Sequence, residues 1–304
     1  MVDGMNKGAV AKGGMPLTRG VGAFLRSGYC SRALFDTLDR AFGDVLTAEE
    51  RASVPLAGGI MQYGYQCGMV WGSTLAAGAR AYRLLGPGPQ AQAKAIAAAQ
   101  RITASFRARY GGCDCFEVIG TNWKTASAAQ IAGMFLKGQP LRCFWMAASY
   151  PPVAFDDIKA ALSEGSGEAP TGPVSCCAVL AEKVGMSEAD ATMVAGLAGG
   201  IGLSGGACGA LGAAIWLRAV KTLREGGKVP YEFPAGQDAV MRFVECIESE
   251  FECAAIVGRK FESIGDHAAY VCSGGCSKII EALAAADGPA DVEAAAPRGK
   301  GGLS

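Results

Sequence analysis

A chain of 304 residues has room for two modest domains, and its 28 basic and 28 acidic residues leave no net charge. That balance excludes the strongly basic surface by which proteins hold nucleic acid or an anionic membrane. Low aromatic content beside 44 glycines suits closely packed helices better than a sheet sandwich.

In chain order, residues 1–17 are Gly/Lys-rich and expected to be disordered. They contain no apolar core of a secretory signal, which predicts a cytoplasmic protein. A helical pattern starts at Thr18. From Cys30, the apolar residues Leu34, Leu38 and Phe42 recur on one helix face, ended by Gly43. Thr47-Ala-Glu-Glu50 reads as a capping box. Residues 56–68, LAGGIMQYGYQCG, follow, then an apolar run stopped by Gly86-Pro87-Gly88-Pro89. Residues 89–109 form an alanine-rich helix with Ile96, Thr103, Phe106 and Tyr110 on its buried stripe, leading to Cys113 and Cys115. Cys143 lies in a later apolar run that ends at Pro151-Pro152, and residues 151–172 read as a linker.

The second half begins at Cys176-Cys177 and follows the same order. Ser187-Glu-Ala-Asp190 is a looser capping box, and residues 197–209 read LAGGIGLSGGACG. Residues 235–251 place Val240, Phe243, Val244, Ile247 and Phe251 on one helical face. Cys253, Cys272 and Cys276 come next, with a last helix before a tail, 287–304, expected to be disordered. The fold expectation is all-α: two homologous helical modules, 18–150 and 173–286, of about five helices each with a Gly-rich turn.

Twelve cysteines are many for a chain expected to stay in a reducing compartment, where cysteine clusters bind metal or do redox work more often than they act as staples. The plain alternative is that each is a small buried hydrophobe. Four placements recur: at the start of the first helix, after the glycine stretch, past the long amphipathic helix, and late. They select Cys30, Cys67, Cys115 and Cys143, then Cys176, Cys208, Cys253 and Cys276, with Cys177 and Cys272 as alternatives in the second set. Cys67 and Cys208 sit where a glycine loop enters a helix. There the helix N-terminus favours thiolate, so these two are the expected thiolates. Cys113 and Cys246 have no assigned role. No C-x-x-C occurs, so a thioredoxin-like reading has no direct support, and no C-x-x-C-H marks covalent haem. Gly200-Ile-Gly-Leu-Ser-Gly205 matches a dinucleotide pattern but follows a helix rather than a strand. His267, the only histidine, is expected at the surface or at a helix cap. Trp71 and Trp216 are expected in the core.

The order Cys…Gly-Gly…Cys-Gly-x-x-x-Gly…Cys…Cys resembles the redox-active family named for its motif, C_GCAxxG_C_C. The first copy has Cys67-Gly-Met-Val-Trp-Gly72, with Met69 in place of the motif's alanine. The second has Cys208-Gly-Ala-Leu-Gly-Ala213, which lacks the final glycine. The resemblance implies redox work with an unidentified partner through one four-cysteine site per module. It also implies that the eight cysteines hold an iron–sulfur cluster or zinc, or work as thiol/disulfide couples. Two readings from other classes compete. Residues 52–79 and 191–217 carry no charge and are long enough to be the spans of a small membrane protein. Alternatively, the chain is a helical scaffold with inert buried cysteines.

Overall fold

The computed structural model describes residues 17–121, 123–124, 126–136, 138–165, 172–247 and 250–285; residues 1–16 and the tail 287–304 lie outside them. The first half runs through α1 (Leu17–Ser27), α2 (Cys30–Phe42), α3 (Thr47–Ala52), α4 (Gly68–Leu85), α5 (Pro89–Tyr110), α6 (Cys115–Ile119), α7 (Ala128–Leu136), α8 (Gln139–Ser149) and α9 (Pro151–Ser163). The second half runs through α10 (Cys176–Lys183), α11 (Glu188–Ala195), α12 (Gly209–Arg224), α13 (Pro234–Cys246), α14 (Cys253–Val257), α15 (Ile264–Cys272) and α16 (Ser277–Ala284). The fold is all-α. Among the described residues, extended pairing is confined to two isolated antiparallel bridges, Gln66 with Asp114 and Ala207 with Glu252.

One core runs through both halves. Helix α4 packs on α11 and α12 packs on α3, so each half lays the helix after its glycine stretch against the other half's short preceding helix. Glycines let α4 approach both α2 of its own half and α11 of the other. A Cβ on Gly72 would stand 2.0 Å from the Ser31 carbonyl oxygen on α2, and one on Gly78 would stand 2.5 Å from the Met193 carbonyl oxygen on α11. Trp71 and Trp216 are fully buried, as expected. The Trp216 indole donates to the Glu49 carbonyl at 3.1 Å across the two halves. Arg224 adds a polar link, bridging the buried Asp190 at 2.7 Å and Glu49 at 2.8 Å.

Several expectations change at the ends of elements. The alanine-rich helix buries Ile96, Thr103, Phe106 and Tyr110. The later amphipathic helix stops at Cys246, so Phe251 is fully buried from a loop, not from that helix face. Residues 151–163, read as the start of a linker, form α9 against α5, and Lys94 Nζ donates to the Ala161 carbonyl at 3.0 Å. No helix among the described residues is long and apolar enough to cross a membrane. The uncharged stretches 52–79 and 191–217 are each interrupted by a non-helical turn before α4 and α12.

The two capping boxes also exchange roles. Ser187 and Asp190 make a complete box at α11. At α3, Leu46 takes the capping position with no side-chain cap, because Glu50 is turned inward and buried beside Asp39. Each of these carboxyls leaves one buried oxygen without a hydrogen-bond partner. Burial, reinforced by Glu50 and Asp44, pushes Asp39 up to about 8. Asp39 therefore holds its proton in the folded chain where the unfolded chain has released it. That contribution to stability is complete below the ordinary aspartate range and is lost as pH rises through about 8. Urea denaturation should show stability falling from about pH 5 to about pH 8, and Asp39→Asn should make the decline shallower. An equally steep decline in the variant would contradict the assignment. Glu50 shifts the same way, so some slope remains.

Candidate functional site: two gathered groups of thiols

Both glycine stretches fold into the same unusual turn. Gly58, Gly59, Ile60, Met61 and Gln62 all have positive φ, as do Gly199, Gly200, Ile201, Gly202 and Leu203. Left-handed backbone costs an L-residue roughly 1–2 kcal/mol and is normally visited one residue at a time. Here it persists through Ile60 and Ile201, whose side chains are fully buried. Equivalent main-chain bonds close the turns: Met61 N to Pro55 O and Gly202 N to Gly196 O at 2.8 and 2.9 Å, Gly64 N to Gly58 O and Gly205 N to Gly199 O at 3.1 and 2.9 Å. The second glycine of each pair is hemmed in alike. A Cβ on Gly59 or Gly200 would lie 2.3 Å from the carbonyl oxygen of Tyr65 or Gly206.

Each turn delivers a cysteine to a bridge. Cys67 N donates to Cys113 O at 2.7 Å, and Cys115 N to Tyr65 O at 2.6 Å. In the second half Cys208 N donates to Phe251 O at 2.7 Å and Cys253 N to Gly206 O at 2.7 Å. The bridge sets Cys115 beside Cys67 and Cys253 beside Cys208. Asp114 and Glu117 form a capping box that starts α6 at Cys115, a signal the sequence reading passed over.

Around Cys67 the structure gathers Cys30 from the first residue of α2, Cys115 from α6 and Cys143 from α8, all within electrostatic reach. A Cβ on Gly68 would lie 2.5 Å from Cys30 Sγ, so this glycine admits the second sulfur. Around Cys208 it gathers Cys176, Cys253 and Cys276. Cys177 belongs there too, its Sγ 3.8 Å from that of Cys176. Cys176 is the counterpart of Cys30, because it meets the Gly199 N–H as Cys30 meets that of Gly58. Three cysteines stand apart. Cys113 Sγ turns to the Thr103 carbonyl at 3.4 Å, Cys272 is exposed near the Pro173 carbonyl, and Cys246 closes α13 against the core.

The thiolates are not where the helix-terminus argument placed them. Cys67 and Cys208 do cap α4 and α12. Cys67, however, is pushed well above the thiol range by its hydrogen bond to Cys30 and by burial, and burial raises Cys208. The stabilised sulfurs are Cys30 and Cys176. Cys30 is lowered by the Cys67 thiol and then by the N–H groups of Gly58 and Ser31. Cys176 is lowered by Cys177 and then by His267. Where two thiols lie side by side, the one that also faces backbone donors is the first to ionise, and its neighbour keeps its proton. Burial pushes Cys143 and Cys276 up to about 12.

Three polar neighbours were missed. Tyr231, from the loop before α13, reaches the first site, where a Cβ on Gly58 would meet its hydroxyl at 2.8 Å; its ring packs on Tyr29 at 5.1 Å. Gln66 ties the two turns together. Its Oε1 accepts from Ala207 N at 3.1 Å, and its Nε2 donates to the Gly200 carbonyl at 3.3 Å. His267 is buried in the second site, not at the surface. Ser263 caps α15, which frees the imidazole to turn inward toward Val174 and Cys176. The repeat could reveal none of these three, since Ala207 stands in the place of Gln66 and the first half has no histidine.

A helical module that converges four cysteines on a strained glycine turn defines a thiol-centred class of protein. Residues 28–143 match the family described as "Putative redox-active protein (C_GCAxxG_C_C)". No curated protein and no solved structure matches the chain.

Gly59→Ala and Gly200→Ala should each destabilise the protein by roughly 3 kcal/mol, combining left-handed strain with a backbone clash. Urea denaturation measures this. An unchanged midpoint in either variant would mean that its turn is not under the constraint described.

Proposed function

We propose that the protein is a thiol–disulfide redox protein with one site in each half, and that residues 173–286 are a second copy of the module at 18–150. The observation that carries the redox reading is that each site holds one sulfur toward thiolate beside a neighbouring thiol, Cys30 beside Cys67 and Cys176 Sγ 3.8 Å from that of Cys177. Duplication is supported by the matching turns, bridges and cysteine placements.

In the first site the Cys30 thiolate attacks one sulfur of a partner disulfide. A sulfur–sulfur bond forms, the partner's bond breaks, and its second sulfur leaves as a thiolate that takes a proton. Cys67 then loses its proton and attacks Cys30, closing Cys30–Cys67 and releasing the other partner sulfur, which is protonated in turn. Two electrons pass from the cysteine pair to the partner, with the one proton that Cys67 held; the second proton comes from water. Burial of Cys67, with Cys30 only half-buried, orders the two attacks. Cys115 and Cys143 complete the pocket, and what favours the Cys30 thiolate is its hydrogen bonds.

A set of four thiols also has the donor chemistry of an iron–sulfur cluster or zinc. Among the described residues, no three His, Cys, Asp or Glu side chains are grouped so as to hold a metal ion.

Treatment with oxidised glutathione followed by peptide mass mapping should give Cys30–Cys67 as the first intramolecular disulfide. Cys30→Ser should slow exchange at this site at least about tenfold, because the thiolate is the attacking species. Cys113→Ser, whose sulfur faces α5, should leave the rate unchanged. Slow, uniform alkylation of every thiol in the native protein would overturn the proposal in favour of an inert scaffold.

A further inference from the structure

The two sites differ in one residue that can move a proton. His267 is the only histidine in the chain, and it is 2% exposed. Its Nδ1 lies 3.0 Å from the Val174 carbonyl oxygen. A carbonyl can only accept, so Nδ1 carries the hydrogen, which fixes the tautomer and leaves the other ring nitrogen as an acceptor. That nitrogen is the one free to meet Cys176, which follows Val174 by two residues and lies within electrostatic reach of the imidazole. Phe261 closes edge-on over the ring at 4.8 Å. The carbonyl of Val174 thus orients the imidazole beside the Cys176 thiol.

We propose that His267 is the proton acceptor and donor for Cys176, making the second site a cysteine–histidine centre for exchange with small alkyl disulfides, whereas the first site works without such a group. This rests on the thiol–disulfide reading and adds a division of labour to it. The imidazole takes the Cys176 thiol proton. The thiolate attacks one sulfur of the disulfide, a new sulfur–sulfur bond forms, and the old one breaks. The departing thiolate takes its proton back from the imidazolium. Cys176 is oxidised to a mixed disulfide, the departing sulfur is reduced to a thiol, and His267 ends neutral. An alkyl thiolate is a poor leaving group and gains from the returned proton, whereas a pyridine-thiolate does not need it.

Other groups around His267 do not supply this function. Asp266, its neighbour on α15, is engaged by Arg259 at 2.6 Å on the exposed side. Tyr270 faces Cys276. Cys177 abuts Cys176 but is its sequence neighbour. Their Cα atoms are about 3.8 Å apart, below the usual span for a disulfide, so Cys177 is poorly placed to resolve the mixed disulfide. Cys276, half-buried and within reach of Cys176, is better placed. Burial alone would pull the imidazole down, but the Cys176 and Val174 contacts outweigh it and shift it upward.

The experiment follows each thiol separately, by mass spectrometry of iodoacetamide-labelled peptides across a pH series on the full chain. The Cys176 profile should have its midpoint below those of Cys208 and Cys253. His267→Asn keeps a donor for the Val174 carbonyl but removes the nitrogen facing Cys176. It should raise the Cys176 midpoint by about one pH unit or more while leaving the Cys30 profile in place. Exchange with hydroxyethyl disulfide at Cys176 should fall at least about tenfold, and exchange with a pyridyl disulfide distinctly less. If His267→Asn does not fold, the single histidine still reports by nitrogen-15 NMR on untagged protein. The Nδ1-protonated tautomer should be seen, and Cys176→Ser should lower the histidine midpoint. Midpoints of Cys176 and His267 that ignore each other would overturn this proposal. Failure of Cys30 and Cys67 to pair would instead sink the reading beneath it.

Discussion

Two buried chain reversals, each forced through several consecutive left-handed residues, are the constraint on which the architecture depends. Such a path is unfavourable for Ile60, Met61, Gln62, Ile201 and Leu203, and the protein holds it by burying the side chains of all but Gln62 almost completely and by closing the turn with main-chain bonds. A turn held this firmly places its outgoing cysteine without freedom to relax. The bridge that follows adds a second sulfur, α2 or α10 brings a third, and a late helix brings the fourth. Because Gln66 joins one turn to the other, the two groups of thiols belong to one rigid interior and are not independent modules on a string.

Charge within each group is decided by contact and not by helix dipoles. A cysteine capping α4 would be expected to ionise first, yet Cys67 gives its hydrogen to Cys30, which already faces two backbone N–H groups. A favourable helix terminus contributes about a kcal/mol, and a thiol-to-thiolate bond inside a dry pocket outweighs it. The two groups then separate chemically. The first is covered by Tyr231 from the other half, and the second carries an imidazole. One scaffold thus presents two sulfur environments that differ in how a proton enters and leaves.

Much of this was legible in the chain. The paired LAGGI stretches, the spacing of the cysteines and the amphipathic periods pointed to an all-α protein and to Cys30, Cys67, Cys115 and Cys143 as companions. The left-handed course was not legible, because Ile60 and Ile201 are poor candidates for positive φ and only tertiary burial overrides that preference. Thr47 looked like the better cap and Ser187 the poorer one. The outcome reversed because Glu50 had a buried alternative and Asp190 gained Arg224. His267 was expected at the surface because a lone histidine has no pattern, and its partner carbonyl at Val174 lies far away in sequence.

The account predicts that the gathered sulfurs are a reservoir of thiol electrons and not ligands already in use. The most direct measurement is iron, zinc and acid-labile sulfide in anaerobically isolated protein, together with a count of reactive thiols before and after mild oxidation. The account predicts substoichiometric metal and sulfide, and a loss of thiols in pairs on oxidation. Stoichiometric iron and sulfide, or zinc, with the clustered cysteines unreactive until the metal is removed, would contradict it.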